Sequence, residues 1–225
     1  MKINLFFIRH GESLSNKNRD IFYPDTINLS NKIINLIDSI NYEPILSSNG
    51  IIQSKNLKKK LKNYNFDLFI CSNLIRSIMT GIFSIDHKNQ IIILPFINEH
   101  LNFLGEIDKS NKINNYNILK LKLSYLNNWL LNKKILCPNI NLNYYYEETK
   151  KLSYKDYINP NITKFINILN KIIINHNFNK DEINISIISH GTFIRKEVYK
   201  YFYNKELNRK LLNSEIIKFS YDLVI

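Results

Sequence analysis

Four short apolar runs, Ile3–Ile8, Asp67–Cys71, Gln90–Pro95 and Glu182–Ser189, most constrain what this chain can fold into. Each is bounded by polar residues and rich in β-branched members, the pattern of strands buried on both faces. Between them the apolar spacing becomes helical. In Asn49–Tyr64, Ile52, Leu57 and Leu61 fall near one helix face with lysines opposite. Asn73–Ile85, Asn115–Lys133, Ile158–His176 and Thr192–Tyr203 also read as helices. Strands alternating with helices predict an α/β chain, a three-layer α/β/α sandwich around a mostly parallel sheet. With 225 residues, no internal repeat and no linker, a single domain over 1–225 is expected. Cap segments are expected near 20–42 and 105–157. The first would hold a loop and a helix at Leu29–Ile40; the second includes a tyrosine-rich loop, Leu136–Tyr157, over the site.

In open α/β sheets ligands bind beyond the carboxyl ends of the strands. His10 follows the first run, Arg76 the second, Glu99 the third and His190 the fourth. Four chemically capable residues from distant parts of the chain are thus expected at one sheet edge.

Composition sharpens that expectation. Asn and Ile make up roughly a third of the residues, a compositional bias that makes the scarce residues informative. Only 5 glycines and 5 histidines occur. Two of the glycines directly follow histidines, in Arg9-His10-Gly11 and Ser189-His190-Gly191. Arginine is confined to Arg9, Arg19, Arg76, Arg195 and Arg209 among many lysines. Where only positive charge is wanted this chain uses lysine, so arginine beside histidine points to a need for its planar, phosphate-gripping fork. The net charge of +12 favours anionic partners; the same bias also accounts for it as lysine on solvated faces. No apolar run reaches the roughly 18 residues of a membrane span. The apolar start is cut off by Arg9, His10 and Glu12, too early for a signal peptide. Cys71 and Cys137 make neither a disulfide framework nor a zinc-spaced pair. A cytoplasmic location, with no membrane partner, is expected.

A neutral imidazole is a good nucleophile toward phosphorus. Nearby guanidinium groups disfavour the imidazolium and keep the lone pair available. Arg9 and Arg76 would also compensate a phosphate dianion, each charge-assisted hydrogen bond contributing on the order of 1.5–3 kcal/mol. Cleavage of a phosphate ester needs a proton on the leaving oxygen, which Glu99 in Pro95-Phe96-Ile97-Asn98-Glu99-His100 can deliver. Glu12, Glu106, Asp108, Glu147 and Glu148 are rivals for that role.

Ordered blocks of sequence carry a resemblance. Arg9-His10-Gly11-Glu12-Ser13-Leu14-Ser15-Asn16 is similar to the opening RHGES-x-x-N of the histidine phosphatase, or phosphoglycerate mutase-like, superfamily. Pro44 to Ser54 resembles its helix entry P-x-L-[ST]-x-x-G-x-x-Q-[AS]. Ser72-Asn73-Leu74-Ile75-Arg76-Ser77-Ile78-Met79-Thr80 resembles S-x-L-x-R-[AS]-x-x-T, and Ser189-His190-Gly191-Thr192-Phe193-Ile194-Arg195 resembles [SA]-H-G-x-x-[IL]-R. Asn213-Ser214-Glu215-Ile216-Ile217 looks like the entry to the family's last strand.

The resemblance implies a phosphoglycerate mutase-like fold in which His10 takes up a phosphoryl group. Arg9, Arg76 and His190 would surround the phosphate oxygens. Asn16 would add a hydrogen bond, as would the backbone at Gly191 and Thr192. Glu99 matches the proton-donor position. No cofactor and no metal are implied. After Glu99 the chain lacks the mutases' R-H-Y-G continuation and their R-R-S-F-D stretch, so a phosphatase of the histidine acid type is expected over a mutase-like phosphotransferase. A non-catalytic phosphate-binding or scaffold protein is the remaining alternative. The expected partner is a small phosphorylated substrate, with a phosphoprotein as the alternative. Nucleic acid is not expected, since no recognised nucleic-acid motif occurs. The sequence sets no oligomeric state.

Overall fold

The computed structural model describes residues 1–17, 44–99, 115–150 and 160–224. Among these residues six strands form one sheet: β1 (Lys2–Arg9), β2 (Leu68–Ser72), β3 (Gln90–Leu94), β4 (Asn139–Asn141), β5 (Glu182–Ser189) and β6 (Ile216–Asp222). Their order is β4-β3-β2-β5-β1-β6. All neighbours are parallel except β6, which runs antiparallel to β1. The four expected strands are all present, at nearly the expected bounds.

Alternate residues of β1 separate the two halves of the core. Ile3, Leu5 and Phe7 face a cluster with α6 (Ile162–His176), which contributes Phe165, Leu169 and Ile172. Ile8 faces the other cluster, built with α2 (Ser48–Leu61), α3 (Ile75–Ser84) and α4 (Asn115–Asn132). Helices therefore cover both faces, as the three-layer expectation required. A short helix, α1 (Leu14–Lys17), follows β1. Residues 191–203 wind as one helix, α7, after β5, with a π-helical middle at Ile194–Val198.

One segment differs from the sequence reading. Leu136–Tyr157 is not simply a loop: it supplies the edge strand β4 and a helix, α5 (Asn143–Thr149), which buries Tyr145 against the second cluster. The run Asn139-Ile140-Asn141 is too short and polar to register as a strand, yet it completes the sheet beside β3. β6 starts at Ile216, inside the block that resembles the entry to the family's last strand. The expected helix Leu29–Ile40 and the cap segment near 20–42 lie outside the described residues, as does part of the segment near 105–157.

The topology places the chemistry. The chain passes from β1 to β2, leaves a gap between them, and fills it much later with β5. The β1–β5 register pairs Arg9 with Ser189. The next residue of each strand is a histidine, so His10 and His190 leave the sheet side by side at its carboxyl edge.

Candidate phosphoryl-transfer site

His10 and His190 are both buried, with ring centroids 5.1 Å apart and planes tilted by 58°. His10 Nδ1 lies 2.6 Å from the Gly11 carbonyl oxygen. A carbonyl can only accept, so Nδ1 carries the proton and Nε2 presents a lone pair. That lone pair accepts from Arg76 Nε–H at 3.2 Å. Arg76 sits in the first turn of α3, which starts three residues after β2 ends. Burial, then Arg76, and in smaller part Arg9 push the His10 pKa well below the ordinary value, against the opposing Gly11 hydrogen bond. His10 is therefore held neutral with its Nε2 lone pair available.

His190 is held from behind. Its Nε2 lies 2.9 Å from Ser72 Oγ, which donates to Asn98 Oδ1 at 3.0 Å and accepts from Leu74 N–H at 3.2 Å. With Ser72's proton committed to Asn98, its remaining lone pair receives His190 Nε2–H. His190 Nδ1 is buried and has no hydrogen-bond partner among the described residues. Burial first, then Arg76, His10 and Arg9, lower the His190 pKa well below its usual value. Ser72 and Asn98 have no role assigned from sequence, although Ser72 opens a recognised block and Asn98 directly precedes Glu99. Their chain depends on a turn after β3: Phe96 adopts a left-handed φ of 67°, rare for a non-glycine residue and a sign of strain retained by its surroundings. Past that turn, Ile97 O accepts from Ser189 Oγ at 2.7 Å, Asn98 meets Ser72, and Glu99 reaches the histidines.

Glu99 offers a carboxylate oxygen within 4.8 Å of ring nitrogens of both His10 and His190. Its Oε1 accepts from Thr192 N–H, at the start of α7, at 3.2 Å. A carboxylate on the first N–H groups of a helix is the arrangement expected at an anion-binding terminus. Of the rivals, Glu12 is committed elsewhere: its carboxylate accepts from Ser47 Oγ at 2.6 Å and from Asn49 Nδ2 at 3.2 Å. Glu147 pairs with Lys150, and Glu148 lies 3.7 Å from Lys171. Glu106 and Asp108 lie outside the described residues.

Arg9 is buried and anchored by a hydrogen bond from Nη1 to the Leu211 carbonyl. Gly191 packs on its side chain: a Cβ there would stand 3.1 Å from Arg9 Nε. Asn16 closes its own turn, Oδ1 accepting from Ser13 N–H at 3.3 Å; that contact is with its turn rather than with the histidines. The structure thus gathers His10, His190, Arg76 and Glu99 with the Gly191–Thr192 helix start. Thr80, not singled out from sequence, braces the His10 loop by accepting from Gly11 N–H at 3.0 Å.

Two imidazoles and a carboxylate within reach of one another could in principle ligate a divalent cation. Arg76, whose guanidinium donates straight onto His10 Nε2, opposes it by placing a positive charge beside the atom a metal cation would need. The same charge pattern suits a tetrahedral oxyanion.

No protein-family model matches the chain. An uncharacterised protein of Acanthamoeba polyphaga mimivirus is 36% identical over 97 residues, which cover 42% of this chain and 18% of that relative's length. The chain thus spans under a fifth of that relative. Among solved structures, the ecdysone phosphate phosphatase from Bombix mori in complex with tungstate aligns with a TM-score of 0.55 at 14% identity, covering 96% of this chain and 88% of the other. Mycobacterial hydrolase 1 aligns with a TM-score of 0.52 at 12% identity, covering 98% and 92%. Identities this low speak to architecture alone. Over nearly its whole length the chain shares their architecture, a mostly parallel sheet with flanking helices, the phosphoglycerate mutase-like fold.

Proposed function

We propose that the chain is a metal-independent phosphatase acting on phosphate monoesters through a phosphohistidine at His10. The observation that carries this reading is the His10 Nε2 lone pair, oriented by the Gly11 carbonyl and met by Arg76. In the proposed first step Nε2 attacks phosphorus and the ester P–O bond breaks. The departing oxygen takes a proton from the Glu99 carboxylic acid. In the second step Glu99, now a carboxylate, removes a proton from water as it attacks the phosphohistidine, releasing phosphate and restoring both residues. Arg76 leaves the His10 lone pair for the phosphate oxygens, joined by Arg9, while His190, its Nε2–H given to Ser72, offers Nδ1 as the acceptor for the proton of a phosphate hydroxyl. Gly191 and Thr192 offer backbone N–H donors, and Asn16 an amide from the loop. Positioning and charge compensation of this kind supply most of the catalysis in phosphoryl transfer. A small phosphorylated molecule is the proposed substrate.

Purified protein is expected to hydrolyse p-nitrophenyl phosphate in the presence of EDTA. His10→Ala is expected to lower turnover by on the order of 10³-fold or more. Activity that EDTA abolishes, or that survives the substitution, overturns the reading.

A further inference from the structure

Among the described residues β6 is the outermost strand of the sheet, paired with β1 on one side. Leu223 N–H donates to the Met1 carbonyl, and the Glu215 carbonyl accepts from Arg9 N–H. In an antiparallel ladder these directions alternate. Odd-numbered residues of β6 therefore turn their backbone groups to β1, and Ile216, Lys218, Ser220 and Asp222 turn theirs to the outer edge. No hydrogen bond among the described residues engages those outward groups. An open edge of this kind is a template for another strand.

The sequence of the edge selects its partner. Lys218 and Asp222 stand two residues on either side of Ser220, with side chains on one face of the sheet. A second β6 laid antiparallel with Ser220 opposite Ser220 sets each Lys218 across from Asp222 of the other copy. Ile216 then faces Val224, itself 92% exposed. Other registers do worse: centring on Lys218 or on Asp222 opposes like charges, and centring on Phe219 or Tyr221 leaves Lys218 opposite serine or valine. The Ser220 register also uses the outward N–H and C=O groups of every even-numbered residue. Opposite charges directly across a ladder are favourable and like charges unfavourable. On the other face Phe219 and Tyr221 lie under Tyr199, Phe202 and Tyr203 of α7. Tyr203 is 53% exposed there, so each copy borders the joint with an aromatic wall.

We propose that β6 is a self-complementary dimer edge, through which two copies of this chain join their sheets about a two-fold axis at Ser220. Such an isologous contact closes on itself and stops at two copies.

Sedimentation equilibrium of the full chain over a range of concentrations tests this. The expected mass approaches twice 26.8 kDa. Lys218→Asp and Asp222→Lys, each alone, set like charges across both symmetric pairs and are expected to weaken association about tenfold or more. Mixing these two variants, or combining both changes in one chain, restores opposite pairs and is expected to restore dimerisation. Ser220→Pro removes an outward N–H and leaves the β1 ladder intact, giving a folded monomer by circular dichroism and mass. A wild-type chain monomeric at all concentrations overturns the proposal. So does a dimer whose affinity is unmoved by the single charge changes.

Discussion

His10 and His190 are buried imidazoles whose neutral forms are favoured by burial and by the guanidinium groups beside them. The unfolded chain takes up a proton at each near pH ~6.5, whereas the native chain does not until well below it. Stability is therefore lost as pH falls below about 6.5, with a slope of up to about 1.4 kcal/mol per pH unit for each histidine. Urea unfolding at about pH 7.5 and about pH 5.5 measures this, with His190→Asn expected to show roughly half the histidine contribution. A wild-type slope that His190→Asn leaves unchanged would mean the ring is already solvated. Both histidines were legible because scarce glycine and arginine flank them in an Asn- and Ile-rich chain. Ser72 and Asn98 were not. Their value arises from meeting across β2 and the turn after β3, and that turn bends at Phe96, where no glycine signals a left-handed residue.

At the scale of elements, the loop that carries His10 is held by the start of α2. Ser47 caps that helix by accepting from Gly50 N–H, and its own N–H donates to the Glu12 carbonyl at 2.9 Å. Gln53 Oε1 accepts from Glu12 N–H at 2.8 Å. The Gly50 and Glu12 backbones approach so closely that a Cβ on Gly50 would stand 2.0 Å from the Glu12 carbonyl oxygen. Gly50→Ala must therefore push α2 off the loop. The expected cost is about 1–3 kcal/mol, with turnover falling as well, while Ser48→Ala on the exposed first turn changes neither. Thermal unfolding and p-nitrophenyl phosphate turnover of the two variants check this. A Gly50→Ala protein as stable and active as wild type would show that the loop does not depend on this contact. The Pro44–Ser54 block was legible as a motif, but its purpose, fixing the backbone beside His10, appears only in space.

Across the whole molecule, the late insertion of β5 between β1 and β2 brings residues 180 positions apart side by side. The alternation of buried runs and helical stretches announced the layers, because strands covered on both faces are apolar along their length. The edges were harder to read. β4 is three residues long, and β6 exposes polar side chains on one face, so neither carries a continuous apolar signal. In the proposed mechanism the sheet aims one imidazole lone pair, and that is the point to test. Mass spectrometry of protein quenched during turnover of a reactive phosphate monoester in EDTA, under conditions that preserve phosphohistidine, is the direct measurement. The account predicts one phosphoryl group on His10 in the wild type and none in His10→Ala. A phosphoryl group trapped on another residue, or steady turnover with His10 never modified, would contradict it.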